Sequence, residues 1–176
     1  MSRLRAMLQA AALWSAATAI GAESDLAPRH AQLACGPAIV VANALCYGEA
    51  PLCVRETLTF RRPGGSTVLS PHPHMGKHSA PAGGSVAALD YHATSWACAE
   101  GVDGGRYVAI VMVHASGADC GECQYARLYH PNGNAIAATL KFDSSGRPGG
   151  NPASAAMLRE ILGRPWPGAL KFIYDR

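Results

Sequence analysis

Apolar positions along this chain fall into short runs, either alternating or continuous, which predicts strands and few helices. Tyr107–Val113 (YVAIVMV) is apolar throughout, as expected of a strand buried on both faces. Tyr125–His130 alternates, with Tyr125, Arg127 and Tyr129 on one side and Ala126 and Leu128 on the other. Asn132-Gly133 predicts a hairpin turn with positive backbone dihedrals, and Ala135–Phe142 reads as its return strand. Upstream, Ala38–Ala42, Val54–Phe60, Thr67–Leu69, Ser85–Tyr91 and Ser95–Cys98 are further strand candidates. In Val54–Phe60 the apolar face formed by Val54, Leu58 and Phe60 is interrupted by Glu56.

One segment carries the marks of a helix. Asn151 suits a cap, Pro152 the first helical position and Gly163 the stop, while Met157, Leu158, Ile161 and Leu162 form an apolar stripe. Leu170–Tyr174 reads as a last strand. Turn residues cluster at Arg61–Gly65 and Gly101–Gly105. Ser70–Gly84 (SPHPHMGKHSAPAGG) reads as one long irregular segment, because its prolines and glycines exclude a helix or a central strand. The expected fold is mainly β, within the α+β class: an antiparallel sheet or meander with one C-terminal α-helix, reinforced by disulfides.

The start of the chain does not belong to that pattern. Arg3 and Arg5 precede an Ala-rich apolar run, Ala6–Ala19, and small residues follow at Gly21-Ala22. This is the layout of a secretory signal peptide cleaved after Ala22. Residues 1–22 are then removed and residues 23–176 form a single globular domain, with residues 23–34 as a loose N-terminal arm. The apolar run is too short to cross a bilayer, so no membrane insertion is expected after cleavage. Of the 15 Lys and Arg, two leave with the signal, so 13 remain against 12 Asp and Glu. A balance so close to neutral, without a block of like charge, argues against nucleic acid and against an anionic membrane surface as partners.

All six cysteines, Cys35, Cys46, Cys53, Cys98, Cys120 and Cys123, lie beyond the signal. An even number in an exported chain predicts disulfides formed in an oxidising compartment, and a bacterial periplasm is the expected address. Cys46 and Cys53 are spaced to close a small ring, but the sequence does not choose among the possible pairings.

Three kinds of chemistry are worth weighing. Cys120-Gly-Glu-Cys123 has the spacing of a redox motif or half a zinc site, yet a strand pattern follows it, so the helix that would activate a thiolate is missing. His72, His74, Met75 and His78 form a local concentration of imidazole and thioether, a candidate copper or zinc site. His114-Ala-Ser116-Gly-Ala-Asp119 contains the residue types of a hydrolytic triad, but adjacency on one loop does not make triad geometry. Gly-x-Ser-x-Gly and His-Glu-x-x-His are absent, and Glu56, Asp90, Asp103 and Glu122 show no pairing in sequence. No catalytic residue and no cofactor is therefore assigned, and the expectation is a binding protein.

Trp96-Ala-Cys98, the Gly-rich turn, the apolar strand, Ser116-Gly-Ala-Asp-Cys-Gly-Glu-Cys123 and Tyr129-His-Pro-Asn-Gly133 together resemble small periplasmic proteins of the immunity type. The resemblance covers roughly residues 96–136. It implies a protein partner, a toxic effector hydrolase such as a peptidoglycan amidase delivered by type VI secretion, and inhibition by an inserted loop. The resemblance itself maps no contact residue; the loop pinned by Cys120 and Cys123 after the most buried strand is the expected contact, through His114, Ser116, Gly117, Asp119 and Glu122, with Ser70–Gly84 as a second contact. Zinc or copper binding by His72, His74, Met75 and His78 is the alternative, and thiol-disulfide exchange at Cys120 a further one.

Overall fold

A computed structural model describes residues 26–48, 52–80, 83–115, 123–142, 152–165 and 168–174. The signal segment, residues 23–25, the loop residues Ser116, Gly117, Asp119, Cys120 and Glu122, and the helix cap Asn151 lie outside the described residues.

The described residues fold into two antiparallel sheets, a short ribbon and one helix. β1 (Leu26–Cys35), β2 (Ala38–Tyr47), β3 (Cys53–Arg62) and β4 (Gly65–Leu69) form a four-stranded sheet in sequence order. Among the described residues, β5 (Met75–Ser79) and β6 (Ser85–Leu89) pair with each other as a two-stranded ribbon. The second large sheet has five strands in the order β10-β9-β8-β7-β11, built from β7 (Tyr91–Glu100), β8 (Arg106–His114), β9 (Gln124–Tyr129), β10 (Ala135–Lys141) and β11 (Lys171–Phe172). The helix α1 (Pro152–Leu162) lies between β10 and β11 in the chain.

The alternation of side chains sorts the core into two layers. Val108, Ile110 and Met112 of β8, with Tyr125 and Tyr129 of β9, face Val40, Ala42, Leu58 and Phe60 of the other sheet. Tyr107, Ala109 and Val111, with Ala126 and Leu128, face the opposite way and pack against Leu158 and Leu162 of α1. Both faces of β8 are thus covered, which is why its sequence is apolar without a break. On β7 the register shifts between Ala93 and Ser95, so Thr94 is an extra residue in the strand. That bulge lets both Ala93 and Trp96 point into the layer between the sheets. Its carbonyl accepts a hydrogen bond from Ile173 N–H at 2.9 Å, which docks the end of β11.

Two disulfides brace this arrangement. Cys35–Cys98 ties β1 to β7, and so one sheet to the other, while Cys46–Cys53 closes the small ring between β2 and β3. Cys123 is disulfide-bonded as well. Oxidised cysteines of this number fit an oxidising, extracytoplasmic compartment. Among the described residues no helix is long and apolar enough to cross a membrane.

Three expectations need correction. The N-terminal arm is not loose: Leu26–Cys35 pairs with β2 along its whole length. It reads poorly as a strand because it is the outer strand, exposed on one face, with only Ala31, Leu33 and Cys35 turned toward the core. Residues 70–84 are not wholly irregular either, since Met75–Ser79 forms β5 between the prolines. The Asn132-Gly133 turn has a positive φ only at Gly133 (86°). His130 N–H donates to Asn134 O and Gly133 N–H to His130 O, both at 2.9 Å, so the hairpin closes through three loop residues with glycine in the left-handed position.

Candidate functional site

Histidines that are far apart in sequence meet at one end of the five-stranded sheet. His72 and His74 precede β5, His78 lies on β5, and His114 ends β8. The rings of His78 and His114 are 5.8 Å apart, and those of His72 and His74 also 5.8 Å. Tyr91, at the start of β7, joins the two pairs: its ring stands 4.8 Å from His114 and 4.7 Å from His72. Tyr125 of β9 packs 5.2 Å from Tyr91, and the Arg127 guanidinium lies 5.6 Å from the Tyr125 ring centre. The result is a continuous cluster of imidazole and phenol rings.

Asp90, the residue between β6 and β7, holds these segments together. Its N–H donates to His74 O at 3.0 Å, and its carbonyl accepts from Ala115 N–H at 2.8 Å. Its carboxylate Oδ1 lies 3.2 Å from His78 Nε2. His78 is buried, so this contact partners a ring nitrogen that would otherwise be withdrawn from water. Close approach is possible because β5 has glycine beside the pair. A Cβ on Gly76 would overlap Asp90 Oδ1 and stand 3.1 Å from His78 Nε2. His114 N–H donates to Cys123 O at 2.8 Å, so the two ends of the segment between them are joined at its base.

Burial and neighbouring charge tune these groups. Burial, with Arg127, His74 and His114 adding positive charge nearby, lowers the His72 pKa, and Asp90 opposes that only in part. Burial pushes the Tyr125 hydroxyl up to about 12. At neutral pH the cluster therefore holds a neutral Tyr125 phenol, whose hydroxyl is buried, and a deprotonated His72 imidazole, whose Nδ1 is buried, and its rings pack on one another.

The metal-site expectation does not hold for the set His72, His74, Met75 and His78. Met75 and His78 are three residues apart on a strand, which places them on opposite faces; Met75 is exposed and His78 is buried. Among the described residues, no group of three or more His, Cys, Asp or Glu side chains is placed to hold a metal ion. Cys46 and Cys53 are bonded to each other and Cys123 is oxidised, so none of the three offers a thiolate ligand. Gln124 begins β9 directly after Cys123, so a strand stands where a redox site would need a helix.

Of the expected contact residues, His114 is in the cluster, and Ser116, Gly117, Asp119 and Glu122 lie in the segment that leaves it. In sequence His114 and the 72–78 histidines stand apart, Asp90 is a carboxylate without a pair, and Tyr91 and Tyr125 read as strand residues. Asp90-Tyr91 falls between two strands, and its backbone role arises only when β5, β7 and β8 come together. Scans against protein-family models, curated proteins and solved structures find no match to this chain.

Proposed function

We propose that this is an exported, periplasmic binding protein of the immunity type, which neutralises a secreted effector hydrolase. The contact surface is the histidine–aromatic cluster together with the segment that follows His114, including Ser116, Gly117, Asp119 and Glu122. The observation that carries the reading is the approach of the His78 and His114 rings to 5.8 Å. It sets His78, from the 70–84 segment, beside His114, from which the other expected contact segment starts. A surface of fixed rings loses little side-chain entropy on binding, and Tyr and His provide apolar area with polar tips. The hydrogen bond from His114 N–H to Cys123 O further supports the reading, because it fixes the described residues on either side of that segment.

The test has two stages. The purified, oxidised protein is used to capture a partner from the matching periplasmic fraction, and the captured hydrolase is then assayed on peptidoglycan with and without the protein. Inhibition that is lost when His114 and residues 116–122 are replaced by a Gly/Ser linker supports the reading. A captured enzyme that stays fully active, or one inhibited equally by the replaced variant, overturns it.

A further inference from the structure

The five-stranded sheet ends in its shortest strand. In β11, Lys171 and Phe172 pair with Trp96 and Ser95 of β7, and both side chains of β11 are exposed. The residues that follow anchor the segment. Ile173 is buried between the sheets, and its N–H donates to Thr94 O at the β7 bulge, at 2.9 Å. Tyr174 packs, partly buried, against the same layer, and its hydroxyl donates to Glu56 Oε1 at 2.9 Å.

Glu56 thus joins three elements that are held with unequal strength. Its own strand, β3, lies between β2 and β4. Its Oε2 accepts the N–H of Ala93 at 2.8 Å, and Ala93 belongs to β7, which pairs along β8 and is bonded to β1 through Cys35–Cys98. Among the described contacts, Lys171–Tyr174 rests on the short pairing with β7, the Ile173 N–H and the Tyr174 hydroxyl. It is the support that opens at the lowest free energy. The described titratable groups that interact with the Glu56 carboxyl are phenols: Tyr174 itself, and Tyr125 and Tyr129 of β9. Burial raises all three hydroxyls, so they stay protonated through neutral pH. β2 sets Ala44 opposite Glu56, and β6 (SVAAL) carries no titratable side chain. His92 neighbours Ala93 on β7 and so points to the other face of the sheet.

We propose that Glu56 is the catch of a latch: Lys171–Tyr174 stays docked while Glu56 is protonated and opens as a unit when Glu56 ionises. The neutral acid keeps both bonds, its carbonyl accepting from Ala93 and its hydroxyl pairing with Tyr174. The ionised acid is a buried charge, and opening the weakest of its three supports returns water to it. Docking is therefore fully favoured below pH 4.5 and weakens as pH rises through about 7. Opening uncovers the β7 edge at Ser95 and Trp96. It also removes the Lys171–Tyr174 wall of a groove of about 680 Å³ that Pro28–Gln32 line as well. Access to that edge and groove thus depends on pH, whether or not the histidine cluster binds an effector.

Amide hydrogen exchange followed by NMR tests the latch, with Ile173 reporting the segment and Ile110, paired on both sides within β8, reporting the core. Between pH 5 and 7 the Ile173 protection, corrected for the intrinsic pH dependence of exchange, is expected to fall about tenfold per pH unit. It is expected to be insensitive to low urea, whereas Ile110 is better protected and responds to urea. In Glu56→Gln the Ile173 protection stays constant across the same range. Tyr174→Phe removes the phenol donor and lowers Ile173 protection at pH 5 about fivefold. Three results would each overturn the proposal: Ile173 exchange with the protection and urea response of Ile110, a pH response that survives Glu56→Gln, or Ile173 protection unaltered in Tyr174→Phe.

Discussion

Tyr174 donates a hydrogen bond to Glu56 at 2.9 Å, although 118 residues separate them in the chain. The other carboxyl oxygen of Glu56 accepts the Ala93 N–H at 2.8 Å, so one side chain of β3 touches β7 and the residues that follow β11. Glu56 is 1% exposed, among the largest fully buried side chains of the molecule. Burial outweighs both hydrogen bonds and raises its pKa from 4.5 to about 7. The acid is therefore half protonated near neutral pH inside the sandwich.

Glu56 makes stability depend on pH in a direction unusual for a carboxylate. Its folded pKa lies above its unfolded one, so its contribution is fully present below pH 4.5 and is lost as pH rises through about 7. The loss amounts to roughly 3 kcal/mol across that window. Glu56→Gln mimics the protonated acid: its carbonyl accepts from Ala93 and its amide donates to the Tyr174 hydroxyl. Denaturant unfolding at pH 8 should show the variant more stable than the parent, by up to roughly 3 kcal/mol. A variant less stable at pH 8 would mean that the ionised form is the one the fold favours.

His92 supplies the opposite slope. Burial lowers its pKa from 6.5 to about 4, and among the described residues neither ring nitrogen has a hydrogen-bond partner. Its contribution is present above pH 6.5 and is lost as pH falls through about 4. Between pH 4.5 and 6.5 the slopes from Glu56 and His92 oppose one another. The parent should accordingly show nearly constant stability there. Glu56→Gln should expose the His92 slope, with stability rising with pH, and His92→Phe the Glu56 slope, with stability falling. The double variant should be flat again. Urea midpoints at intervals across this range check all four curves.

How much of this was legible in the sequence depends on whether the deciding interaction is local. The unbroken apolar run of Tyr107–Val113, the period-two pattern of Tyr125–His130 and the apolar stripe of α1 announce themselves, because burial of one or both faces is written into successive residues. The division into two sheets is not, because Cys35–Cys98 and the layer between Phe60 and Tyr129, whose rings are 5.5 Å apart, are contacts between distant segments. Glu56 was visible as a break in an apolar face, yet the meaning of the break lies in Ala93 and Tyr174. The histidine cluster is a similar case: the residues are conspicuous one by one, but Asp90 is what joins them.

The disulfides should differ in worth according to the loops they close. Cys35–Cys98 spans 63 residues and Cys46–Cys53 only seven. In the chain-entropy account, the first restricts the unfolded chain by about 4 kcal/mol and the second by about 2 kcal/mol. The Cys35→Ala/Cys98→Ala pair should therefore lower the urea midpoint about twice as far as Cys46→Ala/Cys53→Ala. Equal losses would show that packing around the sulfurs, not loop length, sets the stabilisation.

Gly76→Ala tests the link between β5 and the contact surface. The added methyl cannot coexist with the present position of Asp90 Oδ1, which it would overlap. The carboxylate must swing away from His78, leaving a buried imidazole without its acid. Because Asp90 is partly exposed, the cost to global stability should be modest, about 1 kcal/mol. The local effect should be larger: the His78 ring nitrogen signals in NMR should shift, while those of His92, whose ring nitrogens have no described partner, stay in place. If His78 and Asp90 serve the proposed contact surface, the same variant should weaken effector inhibition more than it weakens the fold. A variant that shifts the His78 signals yet inhibits as well as the parent would separate this pair from partner binding.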